Sequence, residues 1–349
     1  MHIFLFMGYG STSMDAEEKI KELPEKPSLI RQLAPVVLAA GILAYMFYKV
    51  DFAEVWWHLK RADGVTIIIA YLVYCLVYYV TDILSFWRAY NLFNTGIGFA
   101  ETGRLRLAAY AVQAVNGAIT EIMAVLYMFR VKKVPVLGST SSAGFVYFNE
   151  TVTMVLFLAY CAFYLPADRR IVGELPWVGL DFWAVFQWSV VVLLVLGVLW
   201  LVLWRTGIKD RFPRLRDNGA LVAFRKGTVA NYLEIFGYRF SNNIINILAN
   251  VFILKAMGID APLALLFAAV PLMVNIAYWP ISVGGFGGPQ LVGHYLLRGY
   301  AGEAEILAYT LVWSSLFFLS RTLTGVWFIS PVYRAAFPKK SRIAGKRQE

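Results

Sequence analysis

Polar side chains inside apolar segments are the residues of this sequence whose types and spacing could support chemistry. One apolar run, 228–254, carries Arg239, Asn242, Asn243, Asn246 and Asn250. At about 100° per residue these positions share one sector of a helix, so they form a polar stripe on an otherwise apolar surface. An arginine at the bilayer centre costs ~2.5–3.5 kcal/mol, so the stripe should face the protein interior. Two interpretations stay open: the stripe lines a cavity, or its amides bond neighbouring helices.

Further charged and amide side chains fall in other apolar runs. They are Gln113, Asn116, Thr120 and Glu121 in the run 107–128, Asn149, Glu150 and Thr153 in the run 138–165, and Arg321 in the last run. Opposite charges inside a membrane usually pair, so Arg239 or Arg321 is expected to pair with Glu121 or Glu150. Asp82 lies near the end of its own run and is expected at the membrane surface.

The stretch Pro271 to Gln290, PLMVNIAYWPISVGGFGGPQ, concentrates residues that break helices. It holds three prolines (Pro271, Pro280, Pro289) and four glycines (Gly284, Gly285, Gly287, Gly288). A regular helix should not run through it, and broken backbone at membrane depth is tolerated only against protein or water. Pro289 suits the first turn of a new helix, whose free N–H groups would offer an anion site. The pattern predicts a re-entrant turn, with a simple helix kink as the alternative.

Membrane-spanning helices must position these residues. Of 349 residues, 59% are hydrophobic and only 15% charged, which predicts an all-α polytopic membrane protein. Six apolar runs approach the ~20 residues that a span needs: 32–50, 65–87, 138–165, 181–204, 228–254 and 303–330. Two further runs, 107–128 and 262–297, are ambiguous. The segment DFAEVWWHLKRAD after the first run predicts an interfacial helix.

The distribution of lysine and arginine decides how the ambiguous runs are treated. The loop 205–226 carries seven basic residues and the tail after 331 carries six, so both are expected in the cytoplasm. If every run crossed the membrane once, these two segments would lie on opposite sides. With 107–128 and 262–297 as opposed re-entrant segments, 23 basic residues are cytoplasmic and 7 external. This predicts about six full spans in the plasma (inner) membrane, with both termini cytoplasmic, a design typical of transporters.

The predicted domains are a cytoplasmic segment (1–28), a transmembrane domain (29–331) and a basic cytoplasmic tail (332–349), and both Met1 and Met14 stay open as the start. The scattered histidines and the two cysteines within apolar runs show no metal-binding or redox spacing. We therefore expect no metal and no cofactor. The formal charge of +10 is attributed to topology, so no nucleic-acid partner is expected. No stretch is long enough for a soluble catalytic domain.

The late glycine motif resembles the membrane region of the lysylphosphatidylglycerol synthase family. That family's signature is a Pro, a Gly-Gly pair, another Gly and usually a Glu. Pro280, Ser282, Gly284, Gly285 and Gly287 match it, and Gln290 stands where Glu is usual. The segment GYAGEAEILAYTLVWSSLFFLSRTLTG also resembles the family's closing helix. Asn116, Phe129-Arg130 and Asn149-Glu150 resemble its first half more loosely, without the usual Pro, Arg and Gly-Glu.

The resemblance, over residues 30 to 330, implies a lipid-handling membrane bundle, which in bifunctional members is a flippase for aminoacylated phospholipid. Aminoacyl transfer is not implied, because that chemistry resides in a separate soluble domain. The leading hypothesis is a translocase or carrier of a lipid or lipid-linked precursor, with an anionic headgroup at the start of the 289–298 helix near Arg239 or Arg321. The expected substrate-binding residues are Asn116, Glu121, Glu150, Arg239, Asn242, Asn246, Gly284, Gly285, Gly287, Gln290 and Arg321.

Two other functions stay open beside the translocase. The chain could be a non-transporting partner subunit of an envelope-biosynthesis enzyme, or an intramembrane lipid transferase with Glu121 or Glu150 as base. No nucleophile–base pair is readable, so no catalytic residue is assigned. The sequence does not specify the lipid, the direction or energy source of transport, or the oligomeric state.

Overall fold

The computed structural model describes residues 41, 44–45, 48, 50–115, 117–166, 181–278, 282–283 and 285–336, with the backbone alone at 111–115, 117–122, 333 and 336. Its longer helices are α1 (Phe52–Arg61), α2 (Gly64–Phe93), α3 (Phe99–Val115), α4 (Gly117–Lys132), α5 (Val136–Tyr164), α6 (Phe182–Arg205), α7 (Val229–Ala256), α8 (Leu263–Ile276), α9 (Gly288–Leu297) and α10 (Glu303–Ala336). Short helical turns (Gly207–Arg211, Pro213–Arg216, Gly219–Leu221 and Val222–Lys226) connect α6 to α7.

Four of these helices, α2, α5, α6 and α10, are long and apolar enough to cross a membrane. Helix α7 has 28 residues, or about 42 Å against a hydrocarbon core of about 30 Å, but it is less apolar because of its polar stripe. These five helices coincide with five of the six predicted spans. The remaining span, 32–50, lies largely outside the described residues. The chain is thus an all-α polytopic membrane protein.

Two pairs of shorter helices lie between the long ones. Helices α3 and α4 are separated only by residue 116 and pack against each other. Helices α8 and α9, with 14 and 10 residues, also pack together. Their lengths of about 21 and 15 Å are too short to cross the hydrocarbon core singly.

The helix break in the second pair comes later than the prolines alone predict. Pro271 lies in the interior of α8, which continues to Ile276. No regular helix runs through the whole stretch from Pro271 to Gln290, as predicted, because α8 ends at Ile276 and α9 begins at Gly288. Pro271 itself is buried within α8, and Asn275 Nδ2 donates to its carbonyl at 2.8 Å. Helix α9 begins at Gly288, one residue before the predicted start.

Helix α1 has the features of an interfacial helix. Trp56 and Trp57 are half exposed, and Lys60 and Arg61 lie over their rings at 5.5 and 4.3 Å. Aromatic rings paired with basic groups suit the boundary between lipid and water. The helix packs against α10.

The polar connection between α6 and α7 is held by its own charges. Arg216 donates two hydrogen bonds to Asp217, at 2.8 and 2.9 Å, and this pairing lowers the pKa of the Asp217 carboxyl. Arg225 Nη1 donates to the carbonyl of Arg216 at 2.7 Å. These contacts order a strongly basic segment outside the apolar helices.

Helix α7 is the central element, packed against α2 and α5, while α10 packs against α3. Buried apolar side chains form two main clusters along these helices. The first apolar cluster includes Tyr74 of α2, Phe157 of α5 and Ile253 of α7. The second apolar cluster includes Phe86 of α2, Phe145 of α5 and Ile235 of α7. The clusters therefore fill opposite ends of the same three helices.

Candidate functional site

Four charged side chains from four helices meet inside the bundle, and we call them the ion cluster: Asp82 (α2), Arg106 (α3), Glu150 (α5) and Arg239 (α7). Arg106 Nε lies 2.9 Å from Asp82 Oδ2, and Arg239 Nη1 lies 2.9 Å from Asp82 Oδ1. The same Arg239 nitrogen lies 3.2 Å from Glu150 Oε2. The predicted pairing of Arg239 with Glu150 is therefore confirmed. Buried charges joined in this way are costly to separate.

Asp82 is the anchor of the ion cluster rather than a surface group. Its side chain is 2% exposed, and the Tyr110 hydroxyl donates a third hydrogen bond to it at 2.5 Å. The expectation of an interfacial Asp82 is therefore wrong, because two arginines neutralise the carboxylate inside the protein. Arg106, one of the 23 basic residues predicted to be cytoplasmic, is equally buried. The signal that could have marked Asp82 is that it is the only acidic residue in its apolar run.

The ion cluster lies between the two apolar clusters on the helices that carry it. Glu150 is the fifteenth of 29 residues in α5, and Arg239 is the eleventh of 28 in α7. Asp82 is the nineteenth of 30 in α2. Charged groups therefore occupy the middle of long helices, with apolar packing above and below them. Ionisable groups at such a position typically mark a substrate or ion pathway.

The asparagines of α7 divide into two groups. Asn243 Nδ2 donates to the Arg239 carbonyl at 3.0 Å, and Asn250 Nδ2 donates to the Asn246 side chain at 2.9 Å. Tyr309 of α10 donates to Asn250 Oδ1 at 2.6 Å. These three amides bond within α7 or to α10, as the interhelical interpretation expects.

Asn242 and Arg239 differ from that group. Both amide atoms of Asn242, and Nε and Nη2 of Arg239, are buried without a hydrogen-bond partner among the described residues. The two side chains are three residues apart, so they lie on the same face of α7. Each unsatisfied buried polar group costs about 1–3 kcal/mol. The cavity-lining interpretation, which applies to this part of the stripe, stays a prediction.

Arg321 of α10 is buried beside the ion cluster in an aromatic surrounding. Its guanidinium carbon lies within 5.3 Å of the ring centres of four residues: Tyr78, Tyr110, Tyr278 and Phe317. Rings that face a guanidinium stabilise its charge where water is excluded. Because Tyr110 also donates to Asp82, a single side chain connects Arg321 to the ion cluster.

The glycine motif forms a tight turn between α8 and α9. Gly285 and Gly287 have φ values of +84° and +101°, which residues other than glycine rarely adopt. A Cβ on Gly285 would also lie 2.9 Å from the Phe317 ring. Because Phe317 contacts the Arg321 guanidinium at 4.1 Å, the turn packs directly beside that arginine.

Gln290 closes this turn and is completely buried. Its Oε1 accepts from Gly287 N at 2.7 Å, and its Nε2 donates to Thr310 O at 3.1 Å and Ser314 Oγ at 2.9 Å. The next amide, Gly288 N, donates to Ser282 Oγ at 3.1 Å. The N–H groups of Gly287 and Gly288, where α9 begins, are thus bonded within the turn. A ligand at this helix start stays a prediction, and Gln290 ties the turn to α10.

Residues 32–325 match a family model described as the lysylphosphatidylglycerol synthase TM region. The chain belongs to this family. The match covers most of the 349 residues and confirms the resemblance that the glycine motif predicts. No curated protein matches the chain. Membership in the lysylphosphatidylglycerol synthase TM region family links the chain to the biology of membrane lipids.

The structure brings together part of the residue set expected to bind substrate. Glu150 pairs with Arg239, Asn242 lies one turn after Arg239 on α7, and Arg321 adjoins the ion cluster through Tyr110. Gly285, Gly287 and Gln290 lie together in the turn beside Arg321, and Asn246 lies further along α7. Asn116, the Glu121 side chain and Gly284 lie outside the described residues. Their expected contacts with substrate stay predictions.

Proposed function

We propose that this chain is a translocase or carrier of a membrane lipid or a lipid-linked precursor, with its binding site at the ion cluster. The observation that carries the proposal is the placement of Asp82, Arg106, Glu150 and Arg239 in the middle of a bundle of apolar helices. Packing alone does not require four charges there, since apolar side chains fill such positions at lower cost. Ionisable groups at membrane depth typically mark the pathway of a charged substrate.

The short helix pairs support the same function. In the proposed topology, α3 and α4 form one re-entrant segment from the cytoplasm, and α8 and α9 form the other from outside. Paired broken helices around a site near the midplane are typical of transporters that alternate access between the two sides. The turn at Gly285 and Gly287 supplies the tight reversal that the second segment needs.

Reconstitution tests the proposed function directly. The full chain is incorporated into proteoliposomes that carry a small fraction of fluorescently labelled phospholipid in both leaflets. A membrane-impermeant reductant then bleaches only the labels in the outer leaflet. Empty vesicles should lose about half of the signal, whereas vesicles with the protein should lose more, because inner-leaflet lipids are brought to the surface. Mass spectrometry of co-purified lipids identifies candidates for the natural substrate.

The result also separates the translocase from the two alternatives. Translocation would be refuted if vesicles with the protein lose no more signal than empty vesicles. This result must hold for labelled forms of every lipid that co-purifies with the protein. Association of the chain with an envelope enzyme would then favour a partner subunit. Chemical conversion of a co-purified lipid during incubation would favour a transferase.

A further inference from the structure

The unbonded edge of Arg239 and the amide of Asn242 form a recognition surface of their own in the middle of the bundle. We infer that this surface binds an oxyanion, and that its ligand is the phosphate of an anionic membrane lipid. The inference deepens the proposed function and rests on it for the source of the ligand, a lipid rather than a soluble compound.

The ion cluster uses only one side of the Arg239 guanidinium. Nη1 contacts both Asp82 and Glu150, at 2.9 and 3.2 Å, while Nε and Nη2 are buried and unbonded in the described part of the chain. The Nε–Nη2 edge of arginine is a planar fork that binds two oxygens of a phosphate or carboxylate at once. Asp82 does not turn to fill it, because Arg106 and Tyr110 hold its other oxygen.

Asn242 adds a neutral hydrogen-bonding group next to this fork. It is 2% exposed, lies one turn after Arg239 on the same face of α7, and has neither amide atom bonded within the described residues. The adjacent Asn243 donates to the backbone of its own helix. A purely structural residue at position 242 would do better as leucine, which fills similar space without an unbonded amide. A ligand that accepts from Nδ2 accounts for asparagine there.

Glu150 marks the side from which a ligand can reach the fork. Its side chain is 23% exposed, against 2% for Asp82 and Arg239. Glu150 also has one partner in the ion cluster, whereas Asp82 has two there and accepts a further hydrogen bond from Tyr110. An anion that reaches the fork from this side meets Glu150, the less firmly held carboxylate, while Asp82 keeps the guanidinium in place. A singly charged phosphodiester has the oxygens that the fork and the Asn242 amide need.

Binding of phosphatidylglycerol to the full-length protein in detergent tests this inference. The lipid carries a fluorescent label on one acyl chain, and an uncharged glycolipid with the same chains serves as the probe without phosphate. Phosphatidylglycerol should bind at least about tenfold more tightly than the glycolipid, since a charged hydrogen-bonded pair is lost with the phosphate. Asn242→Leu should weaken phosphatidylglycerol binding about tenfold while leaving the melting temperature unchanged or higher. Asn243→Leu, the matched control, should bind within about twofold of the parent.

A second substitution keeps the test decisive if the leucine variant does not fold. Asn242→Asp places a carboxylate beside the open edge of Arg239, so it should raise the melting temperature and prevent anion binding. Parental affinity in both Asn242 variants, or equal affinity for the two lipids in the parent, would overturn the inference.

Two further results identify the source of the ligand and distinguish failure of this inference from failure of the proposed function. Phosphatidylglycerol binding that resists millimolar inorganic phosphate supports a lipid ligand. If inorganic phosphate displaces it and binds alone with the same sensitivity to Asn242→Leu, the site is for soluble phosphate and the lipid assignment fails. Asn242-dependent lipid binding without translocation in proteoliposomes would refute the proposed function and leave the binding site standing. Translocation without Asn242-dependent binding would refute the binding site and leave the proposed function standing.

Discussion

At the scale of single residues, Asp82 holds the ion cluster together, since Arg106, Arg239 and Tyr110 all bond its carboxylate. Glu150 contributes less, because it is partly exposed and has Arg239 as its partner there. The two carboxylates are therefore unequal. Asp82 is needed to keep two arginines buried, whereas Glu150 is held by fewer contacts.

Neutralising each carboxylate in turn should reveal this difference. Asp82→Asn leaves two buried arginines without their main counter-charge and should cost about 3–5 kcal/mol of stability. Glu150→Gln removes one partly exposed pair and should cost about 1 kcal/mol or less. Thermal unfolding of the purified variants in one detergent, followed by tryptophan fluorescence, measures both. Equal losses of stability would contradict the asymmetry.

Gln290 supplies a second prediction at this scale. Gln290→Glu replaces a donor to Thr310 O and Ser314 Oγ with a carboxylate oxygen that faces the same carbonyl. It should lower the stability of the folded chain by about 1–3 kcal/mol, and Gln290→Met, which loses the bonds without adding charge, should show a smaller loss. Melting temperatures and bound lipid are measured together. Unchanged melting with reduced lipid occupancy in Gln290→Glu would instead show that the residue contacts the headgroup.

At the scale of elements, the turn between α8 and α9 depends on backbone freedom and on a close contact at the same residue. Gly285 has a positive φ, and its Cα faces the Phe317 ring of α10. The reciprocal hydrogen bonds between Val283 and Phe286, both 3.0 Å, close the turn around it. The turn therefore packs against α10 at Phe317, whose ring lies 4.1 Å from the Arg321 guanidinium.

Gly285→Ala tests this coupling. The strained φ and a Cβ 2.9 Å from Phe317 should together cost about 1–3 kcal/mol of stability. Gly299→Ala is the matched control, because nothing lies within 4 Å of its added Cβ. Adding Phe317→Leu to Gly285→Ala should recover the part due to the ring contact and leave the part due to φ. A melting temperature for Gly285→Ala that equals that of the control would exclude the strained turn.

At the scale of the whole molecule, the basic residues predict on which side each connection lies. The segment 205–226 and the tail after 331 are predicted in the cytoplasm, and the connection before α6 outside. Arg106 does not contribute to this count, because it lies in the ion cluster rather than in a loop. The excess of basic residues on the predicted cytoplasmic side is large enough to survive that correction.

Single cysteines at three positions test the topology in intact cells. In a chain whose Cys75 and Cys161 are replaced by alanine, Asn218→Cys and Lys340→Cys should react with a membrane-impermeant maleimide only after the cells are opened. Glu174→Cys should react in intact cells. Labelling of 218 and 340 from opposite sides would contradict the two re-entrant segments, which require an even number of crossings between those positions.

The sequence by itself determined the class of the protein, its family, five of the long helices and the glycine turn. Hydropathy marks membrane spans because each span needs about 20 consecutive apolar residues, and this requirement does not depend on which helices pack beside it. Glycine and proline mark the turn because their backbone constraints act within a few residues. The polar stripe of α7 was visible for the same reason, since helical periodicity places its residues on one face.

Only the tertiary structure decided which polar groups meet and which are already bonded. Asp82 and Arg106 are 24 positions apart, and Arg239 lies 89 positions after Glu150, so their contacts depend on how each helix is rotated and packed. The same packing separates Asn242, which is unbonded in the described part of the chain, from Asn243 and Asn250, which are bonded. Nothing local in the chain distinguishes these asparagines, because a hydrogen-bond partner on another helix is set by the arrangement of the whole bundle.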